Sequence, residues 1–262
     1  MTTLIKSIIL SFTFLTWIPI TKAINFQPSE FRLSISFYPI VGLFLGSILL
    51  LTYTLSDLIF PVQVTAAAML AVSSFSTRFL HLDGFIDCMD GFFGGNTPER
   101  RLEILKDPHV GAFGVIGGIS LLLLKYTLLI SLLTLPASNY IAILLFPCIS
   151  RWTMVLSIIF FKYIRTDGIG SIFQEGTSYI PFIIASTATI LICFIIANTY
   201  LILIPFIAAS LWAILFNFIA SKLLNGGITG DCYGAVNETS EVISIAIIYF
   251  LLTSSLATWV IF

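Results

Sequence analysis

The chain has 262 residues, 58% of them hydrophobic and only 10% charged, with a mean hydropathy of +1.06. A soluble domain carries roughly 25% charged residues, so a soluble fold is excluded and an integral membrane protein is expected. The net charge of −1 offers nothing to nucleic acid. The four scattered cysteines, Cys88, Cys148, Cys193 and Cys232, argue against a disulfide framework or structural zinc.

A membrane-crossing helix needs about 17–25 mostly apolar residues. Candidate stretches run over 4–20, 35–60, 62–82, 111–134, 139–161, 181–199, 200–224 and 242–262. They predict an all-α, polytopic transmembrane helical bundle of seven or eight spans, with residues 1–262 as a single integral membrane domain. The first stretch follows Lys6 and has no convincing cleavage site, so it reads as a retained helix. It is short and contains Pro19, which suits an interfacial or re-entrant segment.

The connections fall into two classes. Those near Pro61, 135–138 and 198–200 are short and uncharged, whereas those at 21–34, 83–110, 162–180 and 222–241 are longer and polar. With eight spans, all four long connections share one side. They hold eight of the twelve basic residues, and the positive-inside rule makes that side cytoplasmic, in the cell (inner) membrane. Twelve of the thirteen acids lie in or beside the same connections, which suggests a one-sided catalytic surface.

The strongest chemical signal is His81-Leu82-Asp83-Gly84-Phe85-Ile86-Asp87-Cys88-Met89-Asp90-Gly91. On a helix, Asp83, Asp87 and Asp90 fall on one face by i, i+4, i+7 spacing. Three carboxylates on one face repel unless a cation binds them, and hard oxygen ligands suit Mg²⁺ or Mn²⁺. Such a site can hold a diphosphate and stabilise a transferring phosphoryl group. Next, Thr97 reads as an N-cap with Pro98 at the first helical position, starting a short amphipathic helix that carries Arg100 and Arg101. Lys106-Asp107 precedes Gly111-Ala112-Phe113-Gly114, a helix start suited to an anion.

Three basic residues fall within spans. Arg78 stands beside the aspartates, where pairing with them and contact with substrate are both open. Arg151 needs a buried partner, and Lys125 pairs internally or reaches the interface. Tyr163, Arg165, Gly168 and Gly170 are weaker candidates for substrate contact. A second constellation runs from Gly226-Gly227 through Thr229-Gly230-Asp231 to Glu238 and Glu241. It reads as a phosphate-cradling loop followed by further metal ligands. If the segment is helical from Asp231, Asp231 and Glu238 share a face.

These motifs resemble the cobalamin synthases, the adenosylcobinamide-GDP ribazoletransferases of vitamin B12 assembly. The likeness covers nearly the whole chain. It includes His81-Leu82-Asp83-Gly84, Asp87, Asp90-Gly91, Arg101, Lys106-Asp107, Gly111 to Gly114, Gly226-Gly227, Thr229-Gly230-Asp231, Gly234-Ala235, Glu238 and Glu241. Trp17 departs from the family, where many members carry arginine, and Phe85-Ile86 replaces a Leu-Ala pair.

The resemblance implies a phosphotransferase that joins adenosylcobinamide-GDP to α-ribazole or α-ribazole 5′-phosphate. A ribose hydroxyl attacks the corrinoid-linked phosphorus and GMP leaves. It implies Mg²⁺ held by Asp83, Asp87, Asp90 and Asp231, with Glu238 completing the catalytic set. It also implies substrate contacts from His81, Arg101, Lys106, Asp107, Gly226, Gly227, Thr229, Gly230 and Glu241. Two rival classes remain. An ion-coupled transporter conflicts with acids gathered at one face and with the lack of paired broken spans. A phospholipid-type phosphotransferase conflicts with the C-terminal glycine–acid motif.

Overall fold

The computed structural model describes residues 2–18, 25–135, 139–165, 169–174 and 178–254. The helices are α1 (Thr3–Leu15), α2 (Pro28–Ser34), α3 (Tyr38–Asp57), α4 (Val62–Ser76), α5 (Leu80–Gly94) and α6 (Pro98–Ile104). They continue with α7 (Ala112–Leu133), α8 (Asn139–Phe160), α9 (Ile169–Gln174), α10 (Ile180–Ala197), α11 (Leu203–Leu223) and α12 (Gly230–Thr253). Short 3₁₀ turns at Ile35–Phe37 and Tyr200–Ile202 lead into α3 and α11. Among the described residues there is no sheet, only an isolated bridge between Tyr163 and Ile228. This is the expected all-α solution for lipid, where each backbone polar group must be satisfied within its own helix.

Among the described residues six helical stretches are long and apolar enough to cross a membrane: Pro28–Asp57, Ala112–Leu133, Tyr140–Phe160, Ile180–Ala197, Tyr200–Leu223 and Gly230–Thr253. Two shorter apolar helices, α1 and α4, complete the eight apolar segments. The centre is α8, most of which is buried. Helix α3 lies tightly along it, because Gly46 has no side chain to hold it off: a Cβ there would stand 2.6 Å from the Leu144 carbonyl oxygen.

Three elements bear on the site, and two of them differ in their boundaries from the sequence reading. Helix α1 leaves the start of α2 and ends at the α4–α5 turn, the geometry of the re-entrant alternative. Its start is tied to the beginning of α2 by a Lys6–Glu30 ion pair at 3.2 Å. Its end meets the α4–α5 turn, where the Trp17 N–H donates to the Ser76 carbonyl and Arg78 donates to the Thr13 carbonyl. Asn25 is back at Lys6, its carbonyl 3.4 Å from the ammonium. Lys6 therefore lies on the side of the long connections. Arg78 forms no ion pair with the aspartates among the described residues, and with Phe79 it forms a left-handed turn (φ 54° and 60°).

The second element is α5, a polar helix outside the six candidate spans. It runs in the same sense as α4, toward the face of the long connections. The third is α12. It begins at Gly230 rather than near Val242, so the glycine–acid motif forms its first three turns. Acids lower the local hydropathy and shift a composition-based boundary inward, although the backbone is already helical.

Candidate active site

Helices α5 and α12 cross antiparallel with their backbones almost in contact. A Cβ on Gly84 would lie 2.8 Å from the Asp231 carbonyl oxygen, and one on Gly234 would lie 2.8 Å from the His81 carbonyl oxygen. These two glycines are fixed by close approach. The crossing also sets the Cys88 and Cys232 sulfurs 4.0 Å apart. Its consequence is electrostatic: Asp83 and Asp87 of α5 face Asp231 in the first turn of α12.

Asp83 is exposed, while Asp87 and Asp231 are half-buried. Burial, then the charges of Asp83 and Asp231, push the Asp87 carboxyl up to about 7. Burial and Asp231 also raise Asp83 above the ordinary carboxylate range. Three mutually repelling carboxylates are thus held together by the fold.

Among the described residues one cation reaches them. Arg165 donates from Nη2 to Asp231 Oδ2 at 2.9 Å and to the Leu105 carbonyl at 2.9 Å. The Thr229 hydroxyl donates to the same Asp231 oxygen at 3.0 Å. Arg165 is placed by a two-rung bridge: the Ile164 N–H donates to the Ile228 carbonyl, and the Ile228 N–H donates to the Lys162 carbonyl. Gly227 permits this approach, since a Cβ there would be 2.7 Å from the Lys162 oxygen.

The expected phosphate-cradling loop therefore has a different local reason. Asn225 and Gly226 make a left-handed turn (φ 64° and 102°), and the Gly226 N–H is spent on the Ser221 carbonyl. Gly230 starts α12. Sequence reading undervalued Arg165; the only signal was a basic residue in a long polar connection.

Asp90 does not join the group. Its two carboxylate oxygens accept from the N–H groups of Gly111 and Gly114, at 2.7 and 2.8 Å. The anion site expected at the start of α7 is real, and the protein fills it with its own side chain. A buried carboxylate with both oxygens committed is a helix cap in this structure, and it stands apart from Asp83, Asp87 and Asp231, with which the sequence reading grouped it.

Glu238 and Glu241 also stand apart from the open group. They lie two and three turns deeper along α12, sealed against Lys125 of α7 at 2.8 and 2.5 Å. Glu241 also pairs with Arg151 of α8. Two acids and two bases neutralise one another inside the bundle, so these glutamates are structural pairs rather than part of the open set. Arg151 has the partner it required, and Lys125 gains a role that sequence position alone did not give.

The remaining predicted residues form the rim and the back wall. The Thr97 hydroxyl caps α6 by accepting the Arg100 N–H at 3.2 Å, as expected. Arg101 donates to the Leu223 carbonyl at 3.2 Å, which docks α6 onto the end of α11. Leu105, held by Arg165, brings the exposed Lys106 to the rim. Asp107 is exposed and pairs with His109 at 2.7 Å. His81 is buried instead, with Nδ1 3.5 Å from Arg151. Gly168 lies outside the described residues. Behind the carboxylates is a cavity of about 220 Å³ whose wall includes His81, Asp83, Tyr163, Phe173, Asp231 and Tyr233.

The donor set bears on a divalent ion. Among the described residues no three Asp, Glu, His or Cys side chains stand ready in ligand geometry, and Asp231 is bound to Arg165. The chemistry fits nonetheless: three hard-oxygen ligands with excess negative charge, two of them raised by mutual repulsion and burial.

The chain is similar to known proteins along most of its length. The profile of the cobalamin-5-phosphate synthase family matches residues 7–249. The adenosylcobinamide-GDP ribazoletransferase of Desulfitobacterium hafniense is 39% identical over 236 residues, covering 89% of this chain and 92% of the relative. The ribazoletransferase of Caldanaerobacter subterraneus is 34% identical over 247 residues, covering 94% and 98%. That of Geotalea daltonii is 32% identical over 230 residues, covering 88% and 91%. No solved structure matches. With its paired-helix carboxylates and a match along nearly its full length, the chain belongs to the cobalamin-5-phosphate synthase family of enzymes.

Proposed function

We propose that this enzyme joins adenosylcobinamide-GDP to α-ribazole, or to its 5′-phosphate, at the face of its long connections. The observation that carries the reading is the convergence of Asp83, Asp87 and Asp231 across the α5–α12 crossing, with Arg165 beside them. The relatives that share the chain's length are named for this transfer.

In the reaction, a ribose hydroxyl oxygen forms a bond to the corrinoid-linked phosphorus. The bond from that phosphorus to the bridging oxygen of GMP breaks, and GMP leaves with the electron pair. The product is a phosphodiester, adenosylcobalamin or its phosphate. Asp83, Asp87 and Asp231 would hold Mg²⁺, which supplies charge neutralisation at the diphosphate when bound. Asp83 lines the cavity, and a carboxylate oxygen of it left free of the ion would take the proton of the attacking hydroxyl. Arg165 swings from Asp231 to a phosphate oxygen, aided by Lys106 at the rim. The positive-inside bias supports a cytoplasmic reading of this face, and Lys6 adds to that support.

Purified protein in liposomes, given adenosylcobinamide-GDP, α-ribazole and Mg²⁺, should release GMP. Asp87→Asn should lower that release by about a thousandfold, the scale of losing a principal electrostatic stabiliser, without changing membrane insertion. Near-normal turnover in the variant would sink the assignment. Release of CMP from a CDP-alcohol would redirect it to lipid-type transfer.

A further inference from the structure

On α5, Phe85 lies two residues from both Asp83 and Asp87, so it points to the opposite side of the helix. There it meets a groove of about 570 Å³ between α7 and α11. Phe85 and Met89 of α5 and Thr239 and Val242 of α12 line it, and so does Trp212 of α11. One end is marked by Phe93 and Phe113, ring centroids 6.1 Å apart, at the face of the long connections. The other end is marked by Leu124. From Phe113 to Leu124 the helix rises about 16 Å, and one leaflet of the hydrocarbon core is about 15 Å deep. Helices α7, α11 and α12 are candidate spans, and the neighbouring Ile119, Leu123, Leu211 and Leu215 are exposed. The groove is thus continuous with the surface that meets lipid.

Its chemistry and size select the occupant. Only Ser120, Trp212 and Thr239 carry a side-chain nitrogen or oxygen among the lining residues. Ser120 donates to the Ile116 carbonyl at 2.7 Å. Trp212 donates to the Thr239 hydroxyl at 2.8 Å, which donates in turn to the Ala235 carbonyl at 2.7 Å. A polar ligand would bury its own groups against hydrocarbon, which is costly. An apolar cavity of about 150 Å³ takes benzene, or about 25 Å³ per carbon. A 16-carbon chain therefore needs about 400 Å³ and two such chains about 800 Å³, so the groove holds one. A helix of a second copy, about 10 Å across, would need about 1,250 Å³ over the same length.

We propose that this groove is a specific site for one phospholipid acyl chain, from the leaflet on the side of the long connections. The inference goes beyond the transfer reading and does not depend on it. A chain in the groove supplies contact atoms to Phe85 and Met89, and so backs α5 against α12 from the side away from the carboxylates. The lipid acts as a structural ligand of the crossing.

The test is native mass spectrometry of the full chain, stripped of lipid in detergent and then offered single-chain phosphocholines of 8, 10 or 16 carbons. The unaltered protein should retain one 16-carbon molecule per chain, at least about tenfold more than the 8-carbon one, because each buried methylene adds to affinity. That ligand should also raise the unfolding temperature by about 5 °C. Ser120→Trp fills the middle of the groove and should lower 16-carbon retention about tenfold. Leu124→Trp shortens the inner end and should turn the preference toward the 10-carbon chain.

Equal retention of the 8- and 16-carbon chains by the unaltered protein overturns the proposal, even where a variant misfolds. Loss of many lipids with no one-to-one species overturns it too, as does 16-carbon retention unchanged by both variants. A dimer that Ser120→Trp converts to monomers would assign the groove to a second copy instead.

Discussion

At the first turn of α12, Asp231 shares a half-open space with Asp83 and Asp87. Seven residues deeper, Glu238 and its neighbour Glu241 are sealed with Lys125 and Arg151. The two acid groups ride on one helix and belong to one sequence motif. The inner group is matched charge for charge and asks for nothing further. The outer group has three carboxylates and one guanidinium contact, and burial and repulsion raise two of the three. Charge imbalance, rather than the count of acids, separates a binding site from a structural clasp.

The comparison can be broken most severely from the inner side. Lys125→Met leaves two buried glutamates with only Arg151 between them. Removing one partner of a buried ion pair costs about 3–5 kcal/mol, so thermal unfolding in detergent should show a large loss. Adding Glu238→Gln should recover most of it. A neutral single variant would mean that the inner group is not the clasp described.

Next comes the crossing itself. Gly84→Ala forces α5 away from the Asp231 carbonyl and should destabilise by about 1–3 kcal/mol, as overpacking does. Turnover should fall further than stability, because the gap between Asp83 and Asp231 widens. Equal falls would make Gly84 a packing residue alone.

A smaller effect concerns protons. Asp87, raised to about 7, holds a proton below that pH, and a cation must displace it. Affinity for Mg²⁺ should therefore drop by about tenfold from pH 8 to pH 6, the factor set by one competing proton. A flat titration would remove Asp87 from the ligand set. The smallest effect is expected at the exposed Asp107–His109 pair, which belongs to neither group. His109→Ala should leave turnover and unfolding unchanged.

Much of this was legible before the fold was known, because it depends on spacing within one helix. The face shared by Asp83 and Asp87 follows from periodicity, and the Thr97 cap follows from local chemistry. What was hidden depends on which helices meet. Asp90 has the same periodicity as its neighbours, yet the start of α7 claims it. Lys125 stands 113 residues before Glu238 in sequence, and no local pattern joins them. Arg165 reaches Asp231 only through the bridge between Ile164 and Ile228. Hydropathy drew α12 too short because its first three turns satisfy their charges inside the protein.

The re-entry of α1 has a consequence for sidedness. Lys6, held to Glu30, lies on the face where Asp83 and Asp231 open, whereas α12 runs away from that face and ends at Thr253 on the other. An impermeant amine label added to sealed vesicles of known orientation should therefore modify Lys6 from the compartment that admits substrate. A thiol probe at a cysteine introduced in place of Thr253 should react from the opposite compartment, so one pair of labels reports which side of the bilayer the chemistry faces.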